Sequence, residues 1–144
     1  MSMGSRCSRA VDLGAAPGGW TWQLARRGLR VVAVDNGPLQ GEVRDDPLVT
    51  HLHTDGLSFR PKRPVDWLVC DIVDQPSRIA ALGARWIGEG HARHAIFNLK
   101  LPMKQRYRDA AVMLARIVAE VETGGARYAC TARQLYHDRE EITV

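Results

Sequence analysis

The segment that most constrains the fold is DLGAAPGGW at residues 12–20. It follows a short apolar run at residues 10–13 and precedes residues 20–27, where Trp20, Leu24 and Arg27 recur at helical spacing. Glycines between an apolar run and a helix let the backbone turn tightly and approach a ligand closely. The segment therefore predicts a strand, a turn and a helix, with a nucleotide-like ligand at the turn. A turn without any ligand is the alternative.

The spacing of the glycines narrows the ligand class. The loop has the form GxxxGG with a proline inside it, so it lacks the GxGxxG of common dinucleotide-binding proteins and the GK[ST] of a P-loop. A nicotinamide-dependent oxidoreductase is therefore disfavoured, although it remains an alternative.

The rest of the chain alternates between strand-like and helix-like segments. Further strands are predicted at residues 29–34, 49–53, 66–73, 95–101, 127–132 and 141–144, and helices at residues 76–88 and 107–122. This order predicts an α/β fold with a mostly parallel, doubly wound sheet. In such folds, ligands bind beyond the carboxyl ends of the strands.

Composition is consistent with one domain of 144 residues. No run of about eighteen apolar residues is present, and the first residues lack the apolar stretch of a signal peptide, so we expect a cytoplasmic protein that does not bind membranes. We expect a monomer. The three cysteines, Cys7, Cys70 and Cys130, include no CxxC pair. No third ligand accompanies the histidine pairs His51/His53 and His91/His94, so no metal site is predicted.

The net charge of +4 and the pI near 9.3 are compatible with a polyanionic partner. Of the 20 basic residues, three are lysine (Lys62, Lys100 and Lys104) and the other 17 are arginine. Lys100 follows the apolar stretch of the fifth strand. Because lysine is the cation that loses its proton more readily, a lysine at this strand end in an arginine-rich chain suggests a chemical role. A solvated surface lysine is the alternative.

Acidic residues lie at three successive predicted strand ends. Asp35 is placed to accept hydrogen bonds from the two hydroxyls of a ribose, and Asp55 to meet the exocyclic amine of an adenine. Asp71 ends the next strand in an apolar setting, where an unpaired carboxylate is costly. Each acid alone is compatible with a simple turn or helix cap. Their recurrence favours a cofactor site.

DLGAAPGGW, VDNGP, the aspartates of HTDG and VCDIV, FNLKLPMK and ARQLYHDREE together resemble the FtsJ-related 2′-O-ribose methyltransferases. The resemblance covers residues 10–144 and is greatest to the branch that methylates a cytidine ribose in bacterial 23S ribosomal RNA or its precursor. It implies a Rossmann-like methyltransferase fold that uses S-adenosylmethionine, and an enzyme that methylates RNA.

The resemblance also implies roles for individual residues. The cofactor-binding residues are Ala16, Pro17, Gly18 and Gly19 around its methionine part, Asp35 at its ribose, Asp55 at its adenine amine and Asp71 beside its methyl group. The catalytic residues are Lys100, Asp71 and Glu140, with Glu141 as the second choice for the glutamate.

Two features depart from the family. The family carries a lysine upstream of the first strand, where residues 1–9 offer only Arg6 and Arg9. We also expect the family's N-terminal RNA-binding region to be absent. We expect residues 1–9 to be a leader or a segment outside the family, and residues 10–144 to be a methyltransferase domain truncated at both ends. The alternative function is a cofactor-binding fragment or pseudoenzyme with impaired catalysis.

Without that region, RNA contact would depend on basic side chains around the catalytic face. The candidates are Arg60, Lys62, Arg63, Lys104, Arg106 and Arg108. Such contacts give salt-dependent affinity without sequence preference. An ordinary solvated surface is the alternative.

Overall fold

The structure is a computed structural model that describes residues 6–101, 106–123, 129–132 and 141–144. The strands are β1 (Arg9–Leu13), β2 (Arg30–Val34), β3 (Val49–Leu52), β4 (Val65–Cys70), β5 (Ala92–Lys100) and β6 (Glu141–Thr143). The α-helices are α1 (Gly19–Arg26), α2 (Pro76–Gly88) and α3 (Arg106–Thr123), and a 3-10 helix covers Gly41–Asp45.

The six strands form one sheet in the order β3-β2-β1-β4-β5-β6. The first five strands are parallel, and β6 pairs antiparallel with β5. Because β1 pairs parallel with β2 on one side and with β4 on the other, the carboxyl ends of these three strands meet at one edge. The predicted mostly parallel, doubly wound α/β sheet is confirmed.

The helices cover both faces of the sheet. Asp12 of β1 faces α1, since it accepts a hydrogen bond from Thr21, and side-chain alternation directs Val11 and Leu13 to the other face. There they join the core under α2, with Leu68 and Trp86. α3 packs against α2, and its Ile117 and Val121 belong to the same core.

Close contact between α2 and the sheet depends on a glycine. A Cβ atom built on Gly83 would lie 2.5 Å from Cε1 of Phe97 on β5, so a larger residue would push the helix away. Pro76 occupies the first turn of α2, where its missing N–H has no intrahelical partner to lose. The predicted helix at residues 76–88 is confirmed.

Several element boundaries differ from the sequence predictions. β5 begins at Ala92, three residues early, because the polar His94 belongs to the strand and stacks on Trp67 with ring centroids 4.5 Å apart. The 3-10 helix was not predicted. The predicted strand at 127–132 is wrong over 129–132, which is irregular while β6 occupies the edge of β5. Residues 127 and 128 lie outside the described residues.

Within the described parts of the chain, no helix has both the length and the apolarity needed to span a membrane.

Candidate active site

The glycine-rich loop connects β1 to α1 at the carboxyl edge of the sheet. Gly14 has a positive φ of 74°, and a Cβ there would lie 2.9 Å from Cγ1 of Ile72 and 3.1 Å from the Asp71 carbonyl oxygen. Its N–H donates to the carbonyl of Val34 at 2.9 Å. Only glycine fits where the loop passes this closely over the ends of β2 and β4.

The second half of the loop, residues 16–19, packs against the 3-10 helix and the residue that precedes it. Gly18 has φ 126°, and a Cβ there would lie 2.6 Å from Cγ2 of Val43 in the 3-10 helix. The carbonyl of Pro17 accepts the N–H of Gln40 at 2.8 Å, and Gly19 begins α1. The four predicted methionine-binding residues therefore form a short loop whose backbone is fixed by packing.

Asp35 follows β2 and forms hydrogen bonds with both the glycine-rich loop and the loop after β2. One carboxylate oxygen accepts the N–H of Ala16 at 3.0 Å, and the other accepts the N–H of Gly37 at 2.7 Å. A carboxylate has about four acceptor positions, so two remain after these bonds are made. Half-buried Asp35 is thus oriented by the backbone while it keeps acceptor capacity for a pair of hydroxyls.

Asp55 lies in the loop after β3 and is exposed. Its Oδ1 accepts the N–H of Leu57 at 3.1 Å in an Asx turn. The next residue, Gly56, is buried, and a Cβ there would lie 2.9 Å from Cδ1 of Ile72 and 3.6 Å from the Gly14 nitrogen. This contact brings the Asp55 loop against the glycine-rich loop.

Asp71 lies just beyond β4, where its N–H donates to the carbonyl of Leu13 at 3.1 Å. The predicted apolar setting is wrong, because β4 ends one residue earlier and the Asp71 side chain is exposed. Its Oδ1 accepts Nδ2 of Asn98 at 3.2 Å, and the Asn98 Oδ1 accepts the Thr143 hydroxyl at 2.7 Å.

Asn98 and Thr143 are site residues that the sequence does not reveal directly. Asn98 lies two residues before Lys100 on β5, so strand alternation directs both side chains to one face, about 7 Å apart along the strand. That periodicity is the available signal for Asn98. Thr143 has none, because its role depends on β6 pairing with β5, where it lies opposite Asn98.

Lys100 is the last residue of β5 and is exposed. Its Cα is paired with that of Glu141 in the antiparallel ladder. Glu140, the predicted acidic catalytic residue, lies outside the described residues.

Beneath the loop, Asp12 is completely buried. Its Oδ2 accepts the Thr21 hydroxyl at 2.7 Å, while its Oδ1 has no partner among the described residues. Burial raises the pKa of Asp12 to about 7, against the lowering effect of the Thr21 bond, and the charges of Asp71 and Asp35 raise it further. Asp12 is therefore about half protonated near pH 7. The carboxylates of Asp35 and Asp71 favour a ligand that carries positive charge at this loop.

The thiol next to this cluster is inert. Cys70 is buried at the end of β4, and desolvation raises its pKa to about 12. Thiolate chemistry beside Asp71 is therefore excluded near neutral pH.

The predicted RNA-contacting cations do not all lie at the catalytic face. Arg60, Lys62 and Arg63 line a groove with the first residues of β1 and β2, toward the amino-terminal edge of the sheet. The prediction is wrong for these three, because the loop after β3 crosses the sheet before β4 begins. Arg108 is exposed on α3. Lys104 and the side chain of Arg106 lie outside the described residues.

Comparison with known proteins gives one family and many relatives. The model of the FtsJ-like methyltransferase family matches residues 2–104. The ribosomal RNA large subunit methyltransferase M of Laribacter hongkongensis is 60% identical over 135 residues, which are 94% of this chain and 38% of that protein. The protein of the same name from Cellvibrio japonicus is 57% identical, over 94% of this chain and 39% of its own length. The chain thus spans about two fifths of these curated relatives.

Solved structures share the fold at low sequence identity. The Methanococcus jannaschii fibrillarin pre-rRNA processing protein superimposes with a TM-score of 0.67 at 15% identity, covering 96% of this chain and 65% of that one. Aeropyrum pernix fibrillarin, solved with natively bound S-adenosyl-L-methionine, gives 0.58 at 19% identity, covering 94% and 64%. The Rossmann-like methyltransferase fold expected from the sequence is confirmed.

Proposed function

The chain belongs to the FtsJ-like methyltransferase family, and from this premise we propose that it transfers a methyl group from S-adenosylmethionine to a ribose 2′-hydroxyl of RNA. The finer proposal is that the RNA is 23S ribosomal RNA and the target nucleotide a cytidine. It is supported by relatives named as large-subunit ribosomal RNA methyltransferases. We further propose that the protein acts as a monomer in the cytoplasm.

The residues at the carboxyl edge fit this cofactor. Close packing at Gly14 and Gly18 fixes the course of the loop, the position of a Cβ on Gly19 lies in open space, and Asp35 keeps acceptor capacity for ribose hydroxyls. The exposed Asp71 adds negative charge at the neighbouring strand end. Asp55 is assigned to the adenine amine, through the carboxylate oxygen that does not accept Leu57 N–H.

The proposed chemistry is an in-line displacement. S-adenosylmethionine, when bound, supplies an electrophilic methyl group. A ribose hydroxyl is a weak nucleophile, so its proton must be removed or strongly hydrogen-bonded during attack. Lys100, as the neutral amine, is assigned to accept that proton while the hydroxyl oxygen bonds to the methyl carbon and S-adenosylhomocysteine leaves. Asp71, oriented by Asn98, is assigned to the reaction centre. Glu140 completes the set as an expectation from the family resemblance.

One observation carries the proposal. The ends of β1, β2 and β4 bring the glycine-rich loop, Asp35 and Asp71 to one edge, and Lys100 ends the neighbouring β5 on the same side as Asn98. A cofactor site and a proton acceptor on adjacent strand ends are what methyl transfer to a hydroxyl requires.

The test is methyl transfer from labelled S-adenosylmethionine to undermodified 23S ribosomal RNA. We expect label in the RNA and, after nuclease digestion and mass spectrometry, 2′-O-methylcytidine. Label in a base instead of a ribose would contradict the 2′-hydroxyl as target. Unchanged activity and pH profile in Lys100→Arg would contradict the role of Lys100.

A second candidate is a cofactor-binding fragment with impaired catalysis. It is favoured by the exposed position of Lys100 and Asp71, which have few contacts among the described residues. Binding of S-adenosylhomocysteine by calorimetry without methyl transfer would support this candidate over the first.

A further inference from the structure

The sheet face opposite α1 carries a groove that the proposed methyl-transfer site does not use. Its volume is about 440 Å³. It lies over β1 and β2 beside β3, and the segment 59–63 forms its other wall. Val32, Thr50 and Leu52 contribute its floor, and Thr50 and Leu52 are exposed.

Four exposed cations line this groove. Arg9 and Arg30 begin β1 and β2 and are Cα partners in the parallel ladder, so their strands lie about 4.8 Å apart. Strand alternation directs both side chains to the face opposite Asp12. Lys62 and Arg63 face them from the other wall, and all four are exposed. We call this surface the basic groove.

The basic groove carries more positive than negative charge. In the parts of the chain that the structure describes, none of these four side chains forms an ion pair. Two carboxylates flank the lining residues and offset part of this charge: Asp66, which accepts the Arg9 N–H at 2.8 Å, and Asp46, which accepts the Leu48 N–H at 2.8 Å.

Arg60 has a different part in the same wall. Its Nη1 donates to the carbonyl of Phe59 at 2.6 Å and to that of Leu57 at 3.3 Å, and the side chain is partly buried. Arg60 therefore holds the loop that presents Lys62 and Arg63.

We propose that the basic groove binds the sugar-phosphate backbone of RNA, as a contact surface separate from the methyl-transfer edge. Phosphates match exposed arginine and lysine groups that lack carboxylate partners, and such contacts require no base recognition. The proposal rests on RNA as the substrate in the proposed function.

The position of the groove adds a length requirement. From Arg9 to Leu13 the strand rises about 13 Å, which separates the groove from the carboxyl edge. An RNA whose target ribose lies at the carboxyl edge must extend at least this far to reach the groove. Phosphates distant from the target nucleotide would then contribute to affinity.

The experiment measures binding of a fluorescent, unpaired RNA oligonucleotide to the chain by anisotropy across a KCl series. The variant combines Arg9→Gln, Arg30→Gln, Lys62→Gln and Arg63→Gln. We expect roughly a tenfold or greater loss of affinity at about 50 mM KCl, and a salt slope shallower by about 3, since each phosphate contact contributes about 0.7.

The matched control removes the same charge elsewhere, through Arg44→Gln, Arg85→Gln, Arg93→Gln and Arg116→Gln, all of which are exposed. It should retain most of the salt slope. Equal losses of RNA affinity in the two variants would overturn the proposal for the basic groove, because net charge alone would then explain RNA binding. No measurable RNA binding by the unaltered chain would overturn it as well.

Two further measurements separate folding and function from the groove. The double variant Lys62→Gln/Arg63→Gln changes only the exposed wall and should lower the slope by about 1.4. S-adenosylhomocysteine binding should stay unchanged in every variant. If S-adenosylhomocysteine does not bind the unaltered chain, the proposed function fails independently. If the groove variant loses binding to phosphatidylglycerol vesicles but not to RNA, the RNA assignment is overturned.

Discussion

The two halves of the carboxyl edge differ in how firmly their polar groups are held. At the ends of β1 and β2, both oxygens of Asp35 accept backbone N–H groups, and Gly18 packs against Val43. At the ends of β4 and β5, Asp71 has one side-chain partner among the described residues, Asn98, and both Asp71 and Lys100 are exposed. We call these the cofactor half and the reaction half.

The difference indicates that cofactor binding and chemistry are separable in this chain. A preorganised site binds without first having to order its own groups, whereas exposed side chains must be positioned by the ligand or by neighbouring segments. Changes in the reaction half should therefore affect transfer and leave cofactor affinity intact. Changes in the cofactor half should affect affinity or stability.

The largest expected effect is on transfer after Lys100→Met. Loss of the proton acceptor should lower the transfer rate by about 10³-fold, a typical value for general-base removal, with S-adenosylhomocysteine affinity within about twofold. Arg93→Met, another exposed cation on β5, is the control and should keep its rate. If Lys100→Met lost S-adenosylhomocysteine affinity together with transfer, cofactor binding and chemistry would not be separable in the two halves.

The second-largest expected effect is the pH dependence of stability that Asp12 causes. Its pKa is raised from 3.8 to about 7 by folding, so the folded state favours the protonated carboxyl. Stability is full below about pH 4 and is lost as the pH rises through 7, by roughly 4 kcal/mol at most, at about 1.36 kcal/mol for each pKa unit.

Asp12→Asn should remove this loss, since the amide oxygen still accepts the Thr21 hydroxyl. Denaturant unfolding at pH 4 should give similar stabilities for the two proteins, whereas at pH 8 the variant should be more stable. The same difference at both pH values would show that ionisation of Asp12 is not the cause.

A smaller effect is expected from Gly18→Ala. The added methyl group would meet Val43 at 2.6 Å in a backbone conformation that favours glycine. Strain and displacement of the loop should weaken S-adenosylhomocysteine binding by about tenfold and cost about 1–3 kcal/mol of stability.

Gly28→Ala provides the control for backbone strain. Gly28 also has positive φ, at 82°, but no atom lies within 4 Å of the position that a Cβ would take there. It should lose about 1 kcal/mol of stability and keep its cofactor affinity. Equal affinity losses in both glycine variants would mean that the contact with Val43 does not shape the loop.

The smallest expected effect is that of Thr143→Val, which removes the donor to Asn98 Oδ1. Asn98 would hold Asp71 less firmly, so transfer should fall about threefold, with about 1 kcal/mol lost in stability. Thr131→Val, at an exposed position, is the matched control. Reduced cofactor affinity with a normal transfer rate would assign Thr143 to the cofactor half instead.

Much of the cofactor half is predictable because its signals are local. Gly14 and Gly18 lie in one short motif, and Asp35 directly follows a β-branched strand. The reaction half depends on contacts between residues that are far apart in the sequence. The hydrogen-bond partners of Asn98 are distant in the sequence: Asp71 is 27 residues away and Thr143 is 45 residues away. No spacing in the sequence predicts these pairs.

The basic groove shows the same limit. From the sequence, Lys62 and Arg63 are expected at the catalytic face. The loop instead carries them toward Arg9 and Arg30. A helix between β3 and β4 would be visible as a periodic pattern, whereas the course of an irregular loop is set by what it packs on.

Calorimetric titration of S-adenosylhomocysteine into the unaltered chain and into Asp35→Asn tests the cofactor half at its central residue. In the variant, one acceptor oxygen becomes an NH₂ group that faces a backbone N–H, of either Ala16 or Gly37. We predict binding at a single site in the unaltered chain and no binding of NADH. In Asp35→Asn, binding should be roughly tenfold to a hundredfold weaker, at about 1.4 kcal/mol for each factor of ten. Equal affinities in the two proteins, or binding of NADH but not of S-adenosylhomocysteine, would contradict a methyltransferase cofactor site built on Asp35.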